Sequence, residues 1–273
     1  MTRGRWAAAI VAAWLVSLAW LVKRELFQPT GALLAEAALR VPPGAVYYRL
    51  AVAGRQVGFS STTIDTPGAT IRVTDVLVLQ VPALGRLYRT SALSRATLSR
   101  ALRLEGVSVR FDGEPGRFGA TGLVMRDSVL AVEMDSGADS QATRVPLRGP
   151  AVLPSILPLR LAFGGVLRPG RVYSLMVFDP MLLAQRTVEV TVAAESTFVV
   201  ADSAGFDSTA MAWVPARFDT VRAFRIEARS GGPPTSAWID AQGHIVQAVS
   251  PVGFTVERTA FELAYTNFRH RDT

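Results

Sequence analysis

The sequence predicts a mainly β fold: an N-terminal transmembrane helix, then a curved antiparallel sheet (a half-barrel) with an apolar crossover and a C-terminal amphipathic helix. Three observations predict it. Residues 6–22 form an uncharged apolar run. From Val46 onward, apolar and polar residues alternate with the period of two that is typical of half-buried strands. Over residues 146–165 the alternation stops, and prolines recur among large apolar residues.

Residues 1–24 are predicted to be a membrane anchor. The run of 17 uncharged residues makes a helix of about 26 Å, close to the roughly 30 Å of a hydrocarbon core. Aromatic rings favour the two interfaces, and flanking cations reach the headgroups. The anchor residues that we identify on this basis are Trp6, Trp14, Trp20, Lys23 and Arg24.

The charges that flank the anchor predict its orientation. Arg3, Arg5 and the terminal amine give the amino side an excess of positive charge, which favours a cytoplasmic N-terminus. The chain is therefore expected to cross the inner (cytoplasmic) membrane once, with its C-terminal domain extracytoplasmic. The alternative is a cleaved signal peptide, because residues 17–19 have the small-x-small form of a cleavage site.

Composition excludes several classes of function. The chain has 273 residues and no cysteine, so disulfides, thiolate metal sites and thiol nucleophiles are excluded. The hydrophobic content of 49% and charged content of 19% indicate a globular domain and not a disordered one. The net charge is +7, which suits anionic lipids or other polyanions, but scattered solubilising charge is the favoured explanation. No nucleic-acid partner is expected outside the cytoplasm.

Three regions follow the anchor in the first half of the chain. Residues 25–45 are predicted to be a stalk with one short helix that ends before Pro42. Residues 46–53 and 56–65 predict a hairpin around Gly54, and 70–81 a third strand. Residues 86–104 fit either a helix or a strand, and the neighbouring strands favour the strand. Residues 117–125 and 128–134 predict another hairpin, followed by a polar loop over 135–143.

The proline-rich stretch 146–165 is predicted to be a crossover with one short helix. It follows a loose division of the domain 46–273 near residue 146. Its apolar side chains can fill the core, which is the favoured interpretation, or cover a ligand cavity. The candidate cavity-covering residues are Leu153, Ile156, Leu157, Leu161 and Phe163.

Short strands and a closing helix are predicted for the rest of the chain. The strands are expected over 172–179, 186–193, 197–202, 210–215, 222–228, 235–240 and 245–249. Thr259 and Glu262 have the spacing of a capping box, which predicts the start of a helix. Phe261, Ala264, Tyr265 and Phe268 lie on one face of that helix, which is expected to dock on the sheet.

The sequence contains no established motif for catalysis, metal binding or phosphate binding. His244 and Asp240 suggest a Ser-His-Asp arrangement, but Gly-x-Ser-x-Gly is absent, and a solvated turn histidine is the simpler interpretation. Glu133, Asp135 and Asp139 share a segment that lacks the spacing of a calcium loop. No glycine-rich phosphate loop occurs. We therefore assign no catalytic, metal-binding or cofactor-binding residue, and expect no enzymatic activity.

Arginines are densest between residues 86 and 117. On alternating strands they partly share a face, where they would meet an anionic lipid or glycan; a solvated sheet face is the plainer interpretation. The run comprises Arg86, Arg89, Arg95, Arg100, Arg103, Arg110 and Arg117.

Two stretches resemble known bacterial envelope domains. One is 48–58, Tyr-Arg-Leu-Ala-Val-Ala-Gly-Arg-Gln-Val-Gly, and the other is Trp-Ile-Asp-Ala-Gln-Gly-His-Ile-Val over 238–246 with the segment 253–264. They resemble uncharacterised β domains related to the lipoprotein-carrier (LolA-like) fold and the β domains that accompany bacterial transglutaminase-like modules. The resemblance implies a curved antiparallel sheet around a helix or crossover. It brings no catalytic residues, since the transglutaminase cysteine is absent.

These observations lead to one functional hypothesis with two alternatives. The leading hypothesis is a membrane-anchored, extracytoplasmic, non-enzymatic domain that binds an apolar or lipidic ligand or an envelope protein. The first alternative is a structural or interaction module of an envelope assembly without a ligand. The second is a hydrolase with a nonstandard site at Asp240 and His244.

Overall fold

A computed structural model describes residues 41–83, 86–114, 116–137, 139–180, 182–229, 234–250 and 253–270. These residues build one antiparallel sheet of fourteen strands and two short helical segments. The prediction of a mainly antiparallel β domain is confirmed. Among the described residues, no helix has both the length and the apolar character needed to span a bilayer. The predicted anchor and all of the stalk up to residue 40 lie outside the described residues.

The first eight strands form a meander in which each strand pairs with the next. Residues with a left-handed backbone conformation form its tight turns. In the β1–β2 turn, for example, Ala53 and Gly54 have φ values of 49° and 78°. The strand expected in the ambiguous region 86–104 is present as β4. The strands are β1 (Gly44–Val52), β2 (Arg55–Asp65), β3 (Thr70–Ala83), β4 (Arg86–Ser99), β5 (Leu104–Gly113), β6 (Gly116–Met125), β7 (Val129–Asp135) and β8 (Ser140–Pro146).

The last six strands form a second meander, and β14 pairs with β1. The spatial order is therefore β8 to β1, then β14 to β9, so the first and last strands pair in the middle of the sheet. The edge strands β8 and β9 are consecutive in sequence. The strands are β9 (Val172–Asp179), β10 (Ala184–Asp207), β11 (Ala212–Arg229), β12 (Thr235–Asp240), β13 (Ile245–Val249) and β14 (Phe254–Thr259).

The crossover between the two edge strands fills the core. A 3₁₀-helix (Pro154–Ile156) leads into helix α1 (Leu157–Gly164), and Pro154 and Pro158 sit in their first turns, where a missing N–H costs least. Ile156 packs in one cluster with residues of β2–β8, and Leu161 packs in another with residues of β9–β12. Because one short segment contacts both halves of the sheet, the sheet must curve around it.

The crossover also lies along the gap between the two edges. Val152 forms a parallel bridge to Val177 of β9, through the hydrogen bonds Val152 N–H to Met176 O and Phe178 N–H to Val152 O. Gln185 bonds the crossover backbone again, at Arg148 N–H. The polar groups of the β9 edge are thereby partly satisfied without direct pairing of β8 and β9.

Two strands of the second meander are much longer than the sequence predicts. The strands expected over 186–193 and 197–202 are one strand, β10, and those over 210–215 and 222–228 are one strand, β11. The pairing of β10 with β11 continues past the interruptions because the register shifts between Val192 and Ala194 and again around Ser203. Pro215 is tolerated next to this second irregularity, where the ladder is already disrupted. We call the part of this hairpin over residues 196–222 the distal arm.

Two further sequence predictions are wrong. The polar loop predicted over 135–143 is shorter, because Ser140 already belongs to β8; this edge strand is exposed on most residues, and its sequence therefore lacks apolar alternation. Thr259 does not cap a helix. It ends β14, and the π-helix Glu262–Thr266 has no side-chain cap.

The C-terminal helical segment docks on the sheet as predicted. It consists of the π-helix and helix α2 (Asn267–His270). The ring of Phe59 meets Tyr265 and Phe268 edge-on at 4.9 and 5.7 Å between centroids. The distal arm reaches the same segment: Asn267 Nδ2 donates to Trp213 O at 2.8 Å, and Trp213 N–H donates to Asn267 Oδ1 at 3.0 Å.

Candidate functional site

The outer face of β4–β8 carries a groove of about 600 Å³. It is the face opposite to the core positions Ala96 and Val132, since side chains alternate along each strand. A second groove of about 550 Å³ shares Thr121 and Glu133 with it and continues across β6–β8. We call the two together the outer groove.

Paired residues form three rows across the outer groove, each running from strand to strand. The middle of the first two rows is small, with Gly119, Ser108 and Thr121, so the floor is low there. The first row is Leu93, Arg110, Gly119, Asp135 and Ser140; the second is Arg95, Ser108, Thr121, Glu133 and Ala142; the third is Leu123, Ala131 and Arg144.

The outer groove separates charges of opposite sign. Arg95 and Arg110 stand on β4 and β5 at diagonal positions, about 7–8 Å apart at their Cα atoms, so that both guanidinium groups can reach one anion. Asp135 and Glu133 stand on β7, two strand spacings from β5, which is about 10 Å. Within the described residues neither arginine has an ion-pair or hydrogen-bond partner. Both cations are therefore available to a ligand.

Five of the seven arginines in the predicted run fall into two groups. Arg95, Arg110 and Arg117 line the outer groove, and Arg117 is paired there with Asp112 at 3.1 Å. Others have structural partners: Arg100 Nη2 donates to Gly68 O at 2.6 Å, and Arg103 pairs with Asp127. Only part of the run shares a face, as its alternation predicts.

The third row of the outer groove is mainly apolar. Leu123 is 61% exposed, although it is a large aliphatic side chain. It pairs directly with Ala131, and Ala142 lies on the neighbouring strand. An apolar strip therefore begins about 13 Å from Gly119, at a rise of about 3.3 Å per residue along β6.

A second polar site surrounds Asp240, a buried carboxylate at the end of β12. It accepts hydrogen bonds from the N–H groups of Gln242 (2.9 Å) and His244 (2.8 Å), from Arg258 Nη1 (2.9 Å), and it contacts His244 Nδ1 at 3.2 Å. Burial alone would raise the pKa of Asp240, but the hydrogen bonds and charge from His244 and the charge of Arg258 outweigh it and lower the pKa. Asp240 is therefore ionised and fully engaged.

This geometry bears on the hydrolase alternative. A triad needs a hydroxyl group on the second ring nitrogen of the histidine. Within the described residues, the side chain of His244 hydrogen-bonds Asp240 alone. Gly243 holds the turn against α1, since its φ is +79° and an added Cβ would lie 2.7 Å from Leu159 Cα. The carboxylate and imidazole pair is present, and its contacts are those of a turn fixed onto the crossover.

A polar cluster beside this site was missed by sequence reasoning. Thr62 Oγ1 donates to Asp75 Oδ1 at 2.7 Å, and Ser155 of the crossover also bonds Asp75. Burial raises the pKa of Asp75 more than these hydrogen bonds lower it. Burial likewise raises the pKa of the Tyr48 hydroxyl. The signal was present in β3, where Asp75 interrupts an apolar series that alternates with polar residues.

The candidate cavity-covering residues are parts of the core. Leu153, Ile156, Leu157 and Leu161 are buried, and Phe163 packs against the same core half-buried. Neither component of the outer groove is lined by a crossover residue. These contacts are those of core filling, the alternative that the sequence favours.

The carboxylates that the sequence analysis considered as metal ligands have other roles in the structure. Asp135 Oδ1 accepts the N–H of Gly137 at 2.8 Å, and Glu133 lines the outer groove. In the described part of the chain, no three histidine, aspartate or glutamate side chains converge as a metal site would require. The anchor residues Trp6, Trp14, Trp20, Lys23 and Arg24 lie outside the described residues.

Comparisons with known proteins find two similar solved structures, both at low identity. No protein-family model matches the chain, and no curated protein matches it. Among solved structures, the chain is similar to the β-barrel-like protein of domain of unknown function DUF1849 from Brucella abortus, with 11% identity, a TM-score of 0.47, and coverage of 80% of this chain and 95% of that one. It is also similar to a DUF1089 family protein from Pseudomonas aeruginosa, with 11% identity, a TM-score of 0.33, and coverage of 67% and 90%. These findings do not confirm the lipoprotein-carrier resemblance.

Proposed function

We propose that the chain is a non-enzymatic, extracytoplasmic binding module, tethered to the inner membrane by residues 1–24, that binds a lipidic ligand in the outer groove. One observation carries the proposal: Arg95 and Arg110 face a groove of about 600 Å³ without partners among the described residues. Two guanidinium groups that can reach the same anion favour phosphate or carboxylate. The apolar strip around Leu123 then suits the adjoining hydrocarbon.

The N-terminal sequence supports the tether and the orientation. A groove at the outer face of the domain is accessible to a lipid whether or not the core has a cavity. The sequence-based hypothesis allowed an apolar or lipidic ligand or an envelope protein, and any cavity was expected under the crossover. The crossover is packed into the core, so the present proposal places the ligand in the outer groove instead.

A titration tests the proposal. Isothermal titration calorimetry on the full chain in maltoside micelles would use dihexanoylphosphatidylglycerol as the probe. The double variant R95S/R110S should bind about tenfold more weakly, because each charge-assisted hydrogen bond is worth about 1.5–3 kcal/mol before solvent screening. Heats of mixing with the micelles are common to all variants and cancel.

R55S/R229S is the matched control for this titration. Both arginines are exposed, neither has a partner within the described residues, and neither lines the outer groove. The control removes the same charge and should bind as the wild type does. Equal affinity of the wild type and R95S/R110S would refute the proposal.

A second candidate function has one observation in its favour. The distal arm exposes large apolar side chains, with Val199 at 70%, Met211 at 72% and Phe218 at 56%. Exposed apolar residues concentrated on one hairpin are typical of protein-binding surfaces. The chain would then be an interaction module of an envelope assembly. V199S/F218S should abolish assembly while leaving lipid titrations unchanged, and R95S/R110S should do the reverse.

A further inference from the structure

The charges of the outer groove are arranged as a dipole. Arg110 and Asp135 belong to one row and are separated by Gly119, and Arg95 and Glu133 belong to the next row. No ion pair forms across the floor among the described residues, although each arginine is long enough to lean toward β7. A purely anionic ligand on the arginines would lie close to two carboxylates that repel it.

A ligand that carries both charges removes this conflict. We propose that the outer groove recognises a zwitterionic head group, with its phosphodiester at Arg95 and Arg110 and its ammonium group at Glu133 and Asp135. The inference rests on the proposed function and names the ligand class of the same site. The phosphoethanolamine head group of a phospholipid has this chemistry, and its acyl chains would follow the apolar strip at Leu123.

The floor of the groove supports this placement. Gly119 has no side chain, and an added Cβ there would come no closer than 3.9 Å to Asp135, so the space between the two charged sides is open. Ser108 and Thr121 offer small hydroxyl groups to a head group that lies across them. The separation of about 10 Å between β5 and β7 leaves room for a phosphate and an ammonium group between the charged ends of the side chains.

The neighbouring charged groups leave the four charges of the dipole open to a ligand. Arg117 is held by Asp112 at the rim. Asp135 accepts the Gly137 N–H through Oδ1, which leaves Oδ2 for the ligand. Arg144 stands on β8 at the diagonal position to Glu133, about 7–8 Å away at the Cα atoms. No ion pair joins the two among the described residues, so Glu133 stays open to the ammonium group.

Two lipids with matched chains test the inference on the full chain. Dihexanoylphosphatidylethanolamine and dihexanoylphosphatidylglycerol both carry one phosphodiester, but only the first carries an ammonium group. In titration calorimetry the wild type should bind the ethanolamine lipid about fivefold more tightly, the upper range for an ion pair that stays partly solvated. E133Q/D135N should lose this preference and bind the glycerol lipid at least as well as the wild type does. Asparagine at 135 retains the acceptor for Gly137, which preserves the turn.

The outcomes separate the inference from the proposed function. If both lipids bind equally and both lose affinity in R95S/R110S, the zwitterion inference is overturned and the proposed function stands. If E133Q/D135N keeps the preference, the ammonium group binds elsewhere and the inference is likewise overturned. If neither lipid binds in a manner that depends on Arg95 and Arg110, both fail. Circular dichroism and urea midpoints equal to those of the wild type exclude misfolding as the cause.

Discussion

Gly243→Ala should destabilise the fold more than a glycine substitution in any other tight turn that the structure describes. Gly243 has a φ of +79°, which costs a residue with a Cβ about 1–2 kcal/mol. The added Cβ would also lie 2.7 Å from Leu159 Cα and 2.9 Å from both Leu159 N and Pro158 O. These are backbone atoms of α1, so relief requires the crossover to move, and overpacking of this kind costs about 1–3 kcal/mol.

Gly54→Ala provides the matched control. Gly54 has nearly the same φ, +78°, in the β1–β2 turn, and an added Cβ there meets no atom within 4 Å. The backbone strain and the reduced freedom of the unfolded chain are common to both variants and cancel in the difference. Urea unfolding should therefore show Gly243→Ala to be less stable than Gly54→Ala by about 1–3 kcal/mol.

The comparison refutes the reasoning if the two variants unfold at the same urea concentration. The turn of β12–β13 would then not be pressed against α1. A larger loss in Gly243→Ala accompanied by a lower m-value would instead indicate that the crossover has detached and the native state has loosened.

Three further predictions concern stability. Burial raises the pKa of Asp75, so the folded protein binds this proton more tightly than the unfolded chain does. The stability that the neutral carboxyl contributes is therefore present at low pH and is lost as the pH rises through the folded pKa. Asp75→Asn should therefore raise the urea midpoint at pH 7 and leave it unchanged at pH 3. Asn267→Ala should cost about 1–3 kcal/mol by removing both hydrogen bonds to Trp213, and hydrogen exchange at the Trp213 amide should accelerate; unchanged exchange would show that the arm is held otherwise. Ile156→Ala should cost about 2–5 kcal/mol in urea unfolding because Ile156 is 1% exposed, whereas a loss below 1 kcal/mol would argue against a filled core.

Local patterns in the sequence predict the strands well where one face is buried. β1 to β7 follow the alternation, and turn residues such as Gly54 mark the hairpins. The sequence did not predict β8, because an edge strand with most residues exposed shows no apolar alternation. β10 and β11 were divided because Pro215 and polar residues such as Ser196 resemble loops, whereas register shifts carry the ladder past these interruptions.

The periodicity of the sequence does not predict which distant strands pair with each other. The pairing of β1 with β14 joins Tyr48 to Arg258, residues that no local pattern connects. The outer groove is formed by β4–β8 and depends on the registers of these strands. The registers bring Arg95, Arg110 and Glu133 into neighbouring rows. The sequence showed a dense arginine run, but a shift of one residue in any register would have sent its members to opposite faces.

The outer groove and the core occupy opposite faces of the same strands, and this has a consequence for the binding hypothesis. On the core face of β6, Gly122 is closely packed, since an added Cβ would lie 2.9 Å from Val107 Cγ1 and 3.1 Å from Leu130 Cδ1. On the groove face, Gly119 and Thr121 have no such constraint. Groove variants should therefore change the unfolding free energy by less than about 0.5 kcal/mol. A loss of binding in R95S/R110S or E133Q/D135N can then be assigned to the ligand contact itself, because the core that fixes the rows is unchanged.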